Sequence, residues 1–152
     1  MSDAARPATT SATVTHEAGT VSTPVDTHAV RRLRIALGAN ELFSATTGAT
    51  ALIAASPLGR FFDIDDVMVR VIGLALVVFA AALVVIRRIA DHAVLRAWAI
   101  AVSIADIAWV IGTIVVIASG AVSSGGAILL AAIALVVADL AAAQLYYRAR
   151  SC

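Results

Sequence analysis

The chain has 152 residues, a formal net charge of +1, 61% hydrophobic and 14% charged side chains, against a soluble average of about 45–50% apolar and about 25% charged. That imbalance has the membrane sign, and the balanced overall charge gives no reason to expect a nucleic-acid partner. There is no lysine, so every strong cation is an arginine, and the single cysteine, Cys152, can form no internal disulfide.

Residues 1–30 are dominated by Ala, Ser, Thr and Val, carry Pro7 and Pro24, and lack helical periodicity. The segment lacks the apolar mass to offset ordering entropy and reads as a disordered tail. Asp3, His16, Glu17 and Asp26 interrupt any apolar run of the kind a secretory signal needs, so no cleavage is expected. His16 and His28 have no partners at ligand spacing and read as solvated histidines. At the other end, Arg148-Ala149-Arg150-Ser151-Cys152 is not a prenylation box.

Residues 31–150 are expected to form a transmembrane domain of four helices, with spans over about 33–55, 67–86, 94–118 and 127–147, each near the roughly 20 residues that cross about 30 Å of hydrocarbon. Arg31, Arg32 and Arg34 make a basic collar before the first span. That span is the most polar, with Asn40, Ser44, Thr47 and Ala51 on one side at helical spacing. Ser44 and Gly48 form a small-xxx-small pair that would let a neighbouring backbone come close. The connection 56–66 holds Phe61, Phe62 and the acids Asp63, Asp65 and Asp66. It reads as an interfacial segment at headgroup level. Asp66 and Arg70 are spaced to pair at i,i+4. The acidic triplet lacks the glycine turn and ligand spacing of a calcium loop, so no metal is expected.

Span two is uniformly apolar and ends in Arg87-Arg88; a charged turn with Asp91, His92 and Arg96 leads into span three, and the uncharged loop 119–126 into span four. Ala134, Ala138 and Ala142 would line one side of span four as a small-residue seam. Tyr146-Tyr147 mark its interface end, and Trp98 reads as another interfacial anchor. The arginines divide as Arg31, Arg32, Arg34, Arg87, Arg88, Arg96, Arg148 and Arg150 on one side against Arg60 and Arg70 on the other. The positive-inside rule then places both termini in the cytoplasm, and an even number of spans likewise puts them on one side. Asn40-x-x-Phe43 and Asp106-x-x-Trp109 also echo each other, as in two parallel helical hairpins.

Three acids lie inside the spans. At 1.5 Å of rise per residue, Glu41 lies about 10 Å from Arg34, Asp139 about 13 Å from Arg148 and Asp106 about 15 Å from Arg96. Each would cost about 2.5–3.5 kcal/mol if ionised near the membrane centre, and no basic residue is expected at that depth. The neutral, hydrogen-bonded form is the expected one, with Asn40, Ser44, Ser103, Thr113 and Gln144 as available partners. Trp109 is expected to fill the space beside Asp106.

The run ALGANELFSATTGATALIAASPLGRFFDI and the segment ADIAWVIGTIVV together resemble small bacterial four-helix integral membrane proteins. The matching positions are Asn40, Phe43, Ser44, Gly48, Pro57 and Leu58, then Asp106, Ala108, Trp109 and Val110. Glu41 falls outside the pattern. The resemblance covers the membrane part and implies an all-α, membrane-embedded four-helix bundle of two hairpins; it implies no activity.

No phosphate-binding glycine loop, cysteine pair, zinc-type His-Glu pattern or serine elbow is present in the sequence. No cofactor is expected; His92 alone lies near a membrane surface, too few for a bis-histidine haem. The expected function is therefore that of a non-enzymatic inner-membrane protein, with no catalytic residues. It would pack against itself or a membrane-protein partner through polar and small-residue helix faces. The competing expectation is a small proton- or cation-coupled transporter using Asp106, assisted by Glu41 or Asp139. A lipid-modifying enzyme is a third, for which no nucleophile–base pair is visible. The arrangement of Glu41, Asp106 and Asp139, together in one cavity or apart, discriminates among these readings.

Overall fold

A computed structural model describes residues 27–150 of the chain. The expected disorder of residues 1–26, His16 and Cys152 lie outside the described residues, whereas residues 27–30, assigned above to the tail, form the first turn of a helix. The described residues are all-helical: α1 Thr27–Ile53, α2 Ala55–Phe62, α3 Asp66–Arg87, α4 His92–Ala118 and α5 Ser124–Arg150. Five helices thus stand where four were expected.

The extra helix comes from Pro57. With no N–H, Pro57 cannot donate to the carbonyl of Ile53 and so interrupts α1 there, yet it fits the first turn of a new helix, where amide donors are unused anyway. The axis turns by 92° between α1 and α2. At the other end of α2, Asp63 takes a left-handed conformation (φ 61°, ψ 43°) and its N–H bonds to the carbonyl of Gly59. Aspartate is among the few residues that tolerate this region. The loop before α5 then fastens α2 in place, the N–H and hydroxyl of Ser123 donating to the carbonyls of Phe62 and Phe61.

Asp65 caps α3, its side chain accepting from Val67 N at 2.7 Å, and Asp91 caps α4, accepting from Ala93 N and Val94 N at 2.7 and 3.1 Å. Each side-chain oxygen meets amides that the first helical turn leaves without carbonyl partners. Asp66 pairs with Arg70 at 3.5 Å, as its spacing suggested, and also accepts from Ser56. The acidic residues of the connection therefore cap and tie helices.

Helix α1 packs along α3 and along α5, α4 packs along α5, and α3 meets α4 only sparingly. The result is two hairpin-like pairs joined through α1 and α5. The tightest crossing is α1 on α3: a Cβ added to Gly48 would lie 2.8 Å from the carbonyl oxygen of Gly73, and one added to Gly73 would lie 2.9 Å from that of Gly48. Glycine is needed at both positions because the backbones themselves are in contact. A second apolar cluster, with Leu33, Leu37, Leu83, Ile86, Leu95 and Val102, fills the arginine-rich end.

Helices α3, α4 and α5 are long and apolar enough to cross a membrane; α1 meets that test only together with α2, as one bent unit. Only 28%, 22% and 22% of the apolar windows of α3, α4 and α5 are buried within the fold. Leu42, Val71, Leu74, Val78, Ile104, Ile114 and Leu135 are among the large apolar side chains turned outward. A surface this apolar calls for lipid or another protein rather than water.

Candidate functional site

Of the residues that share one side of α1 by spacing, Asn40, Ser44 and Ala51 are buried, as is Gly48, whereas Thr47 is only half-buried. Thr46 and Thr50 instead face outward, and their hydroxyls donate to the carbonyls of Leu42 and Thr46 one turn back, both at 2.8 Å. That back-bonding lets a hydroxyl sit against hydrocarbon with its donor satisfied.

At mid-length of α4, Asp106 is turned into the bundle and only 4% exposed. Its Oδ2 accepts from Asn40 Nδ2 of α1 at 2.7 Å and from Gln144 Nε2 of α5 at 3.2 Å. The chain of contacts continues on both sides. Ser44 Oγ donates to Asn40 Oδ1 at 3.4 Å, and Ser103 Oγ approaches Gln144 Oε1 at 3.4 Å while also donating to the carbonyl of Ala99 at 2.9 Å. Three helices are thereby joined by one oxygen atom. A polar cluster of this kind is stable in an apolar interior only when its members find one another.

Asn40 and Gln144 are thus the partners of Asp106. Thr113, also an expected partner, donates to the carbonyl of Trp109 on its own helix. Trp109, one turn beyond Asp106, is half-buried.

The other two carboxylates lie elsewhere. Glu41 Oε2 stands 3.2 Å from Arg87 Nε of α3, with side chains 20% and 41% exposed. This corrects the expectation that no basic residue reaches the depth of Glu41. The guanidinium lies against Gly38, where an added Cβ would be 2.6 Å from Arg87 Nη1, and the long arginine side chain extends the reach of the collar. Arg34 braces the same corner: its Nη1 and Nη2 donate to the carbonyls of Arg87 and Ile89 at 2.8 and 2.7 Å. The Arg87 carbonyl closes α3, where carbonyls lack helical donors and a cation is favoured, and that of Ile89 lies two residues beyond the helix.

Asp139 is exposed on the outer side of α5, as are Leu135, Val136, Ala138 and Ala142. The small-residue seam of Ala134, Ala138 and Ala142 divides between two surfaces. The residues of α5 that face the bundle are Ala134, Val137, Ala141 and Gln144, whereas Ala138 and Ala142 border an outer groove with Ile107, Val110, Ile111 and Leu145 of about 210 Å³. Glu41, Asp106 and Asp139 therefore occupy three separate environments.

Aromatic side chains and arginines meet at the arginine-rich end. Arg32 lies over the ring of Tyr147 at 5.8 Å and Arg150 over that of Tyr146 at 4.5 Å, and the two tyrosine rings pack edge to face. Trp98 is half exposed at the same end.

Comparison with protein-family models, curated proteins and solved structures gives no match. The class of protein therefore rests on the chain itself: a helical bundle with three, or with the bent pair four, segments long and apolar enough to cross a membrane.

Proposed function

We propose that this chain is a non-enzymatic inner-membrane protein that assembles with a second copy of itself through the outer faces of α4 and α5. In this reading α1 and α2 together make the fourth crossing, α2 turning aside at headgroup level. Both ends face the cytoplasm, the side to which the arginine asymmetry assigns them, and the resemblance to small bacterial four-helix membrane proteins agrees with that layout.

The observation that carries the proposal is the direction of Asp139. It is the exposed acid of an apolar helix, two turns from Tyr146, at a depth where a carboxylate facing hydrocarbon costs about 2.5–3.5 kcal/mol. A protein surface with hydrogen-bonding groups removes much of that cost. Beside it, Ala138 and Ala142 keep the helix surface low enough for close approach, and the groove shared with Ile107 and Ile111 can take a side chain from the opposing helix. The separation of Glu41, Asp106 and Asp139 weighs against a transporter in which the three would act together.

Single cysteines placed at Ala142 and, as a control, at Leu74 on the outer side of α3 test the proposal, in a Cys152→Ser background and in native membranes. Oxidation should give a disulfide-linked dimer from position 142 and none from position 74. Absence of a dimer from position 142, or equal yields from both, would overturn the proposal.

A further inference from the structure

The arginine-rich end carries a groove that the polar network leaves unused. Thr27, Val30, Arg31 and Arg34 of α1 and His92 of α4 line it, an open groove of about 190 Å³ with room for a group the size of a phosphate. Arg34 is held in place by the carbonyls of Arg87 and Ile89, which fix its charge without cancelling it.

The acids at this end, among the described residues, are committed elsewhere. Glu41 faces Arg87, and the carboxylate of Asp91 accepts from the amides of Ala93 and Val94 while also lying within electrostatic reach of His92 and Arg96. Arg31 is exposed and is not drawn into either arrangement. One turn along α1 from Arg31, Ile35 turns outward with 60% of its surface exposed, so a basic groove is followed on the same helix by an apolar outer surface, which is the polarity profile of a phospholipid read from headgroup to chains.

We propose that this groove binds the phosphate of an anionic phospholipid, with Arg31 and His92 in contact and Arg34 as a fixed neighbouring charge. Basic recesses between membrane helices at the cytoplasmic side recognise such headgroups by charge. The apolar flank distinguishes a lipid from free phosphate, because only the lipid gains from covering Ile35.

Native mass spectrometry of the full chain with added phosphatidylglycerol or phosphatidylcholine tests this. Phosphatidylglycerol should be retained preferentially. Arg31→Gln should weaken its binding about five-fold, the equivalent of one surface cation, and His92→Gln, on the other wall of the groove, should weaken it too. Arg150→Gln, outside the groove, should leave it within about two-fold. Three results would overturn the proposal: equal retention of the two lipids, equal losses from Arg31→Gln and Arg150→Gln, or displacement of the lipid by excess inorganic phosphate, which would mark a site for soluble phosphate.

Discussion

Asn40 Nδ2 donates to Asp106 Oδ2 at 2.7 Å, although the two residues are 66 apart in sequence. They are the polar members of the echo between α1 and α4, and Gln144 bonds to the same oxygen from α5. The contact links the two hairpins, while Gln144 serves the same oxygen from within the α4–α5 pair.

Removing the shared acceptor should therefore cost more than removing one donor. Asp106→Leu strands two amides, at about 1–3 kcal/mol each, whereas Asn40→Leu loses one interhelical bond worth about 0.6–2 kcal/mol. Asp106→Asn keeps an acceptor oxygen and should stay within about 1 kcal/mol of the parent. Reversible unfolding in mixed micelles measures all three, and the expected order is Asp106→Leu worst and Asp106→Asn mildest.

The α1–α3 crossing gives a steric prediction. Gly48→Ala forces a methyl group against the carbonyl of Gly73 at 2.8 Å and should destabilise by about 1–3 kcal/mol, as overpacking does. A Cβ on Gly112 would meet nothing within 4 Å, so Gly112→Ala should be neutral or stabilising by up to about 1 kcal/mol through helix propensity. Thermal unfolding of the two variants should move in opposite directions or leave Gly112→Ala unchanged.

These elements differ in how plainly the sequence announces them. Asn40, Ser44, Thr47 and Ala51 stand out as one side of α1 because the rest of the helix supplies contrast, and all but the half-buried Thr47 lie in the interior. Helix α5 offers none: Ala131, Ala132, Ala134, Ala138, Ala141, Ala142 and Ala143 surround it, so spacing alone does not say that Ala134 turns into the bundle while Ala138 and Ala142 turn out of it. Arg87 was missed as the partner of Glu41 because depth was reckoned along the first helix, and a side chain from another helix is invisible to that measure. Gln144 was named among the partners open to Asp106, yet only the packing of α5 on α4 selects it over Thr113. Phe61, Phe62 and the acids of the connection 56–66 read as an interfacial segment and give no sign that it holds a helix, although proline is at home in a first turn.

The Glu41–Arg87 pair is open to a double-mutant cycle. With Arg87 more than a third exposed, solvent screens the pair, and a coupling of up to about 1 kcal/mol is expected between Glu41→Gln and Arg87→Gln. A coupling indistinguishable from zero would make the contact incidental.

The cap of α4 predicts an acid response. Hydrogen bonds from the amides of Val94 and Ala93, in that order, hold the Asp91 carboxyl below the usual aspartate range, with further lowering from His92 and Arg96. Because the folded value is depressed, the stabilisation is complete above the ordinary aspartate pKa of about 3.9 and is lost as pH falls from there through the folded value. Asp91→Asn, which can still cap but does not titrate, should flatten that part of a stability–pH curve, and an unchanged slope would remove Asp91 from the account.

The account turns on the opposite directions of Asp106, inside the fold, and Asp139, outside it. The most direct test compares Asp106→Leu with Asp139→Leu for both monomer unfolding and dimer dissociation in lipid nanodiscs or mixed micelles. The prediction is that Asp106→Leu lowers monomer stability, while Asp139→Leu leaves the monomer as stable as the parent and changes the dissociation constant of the dimer. Loss of monomer stability in Asp139→Leu, or a dimer whose dissociation constant is unaffected by it, would contradict the account.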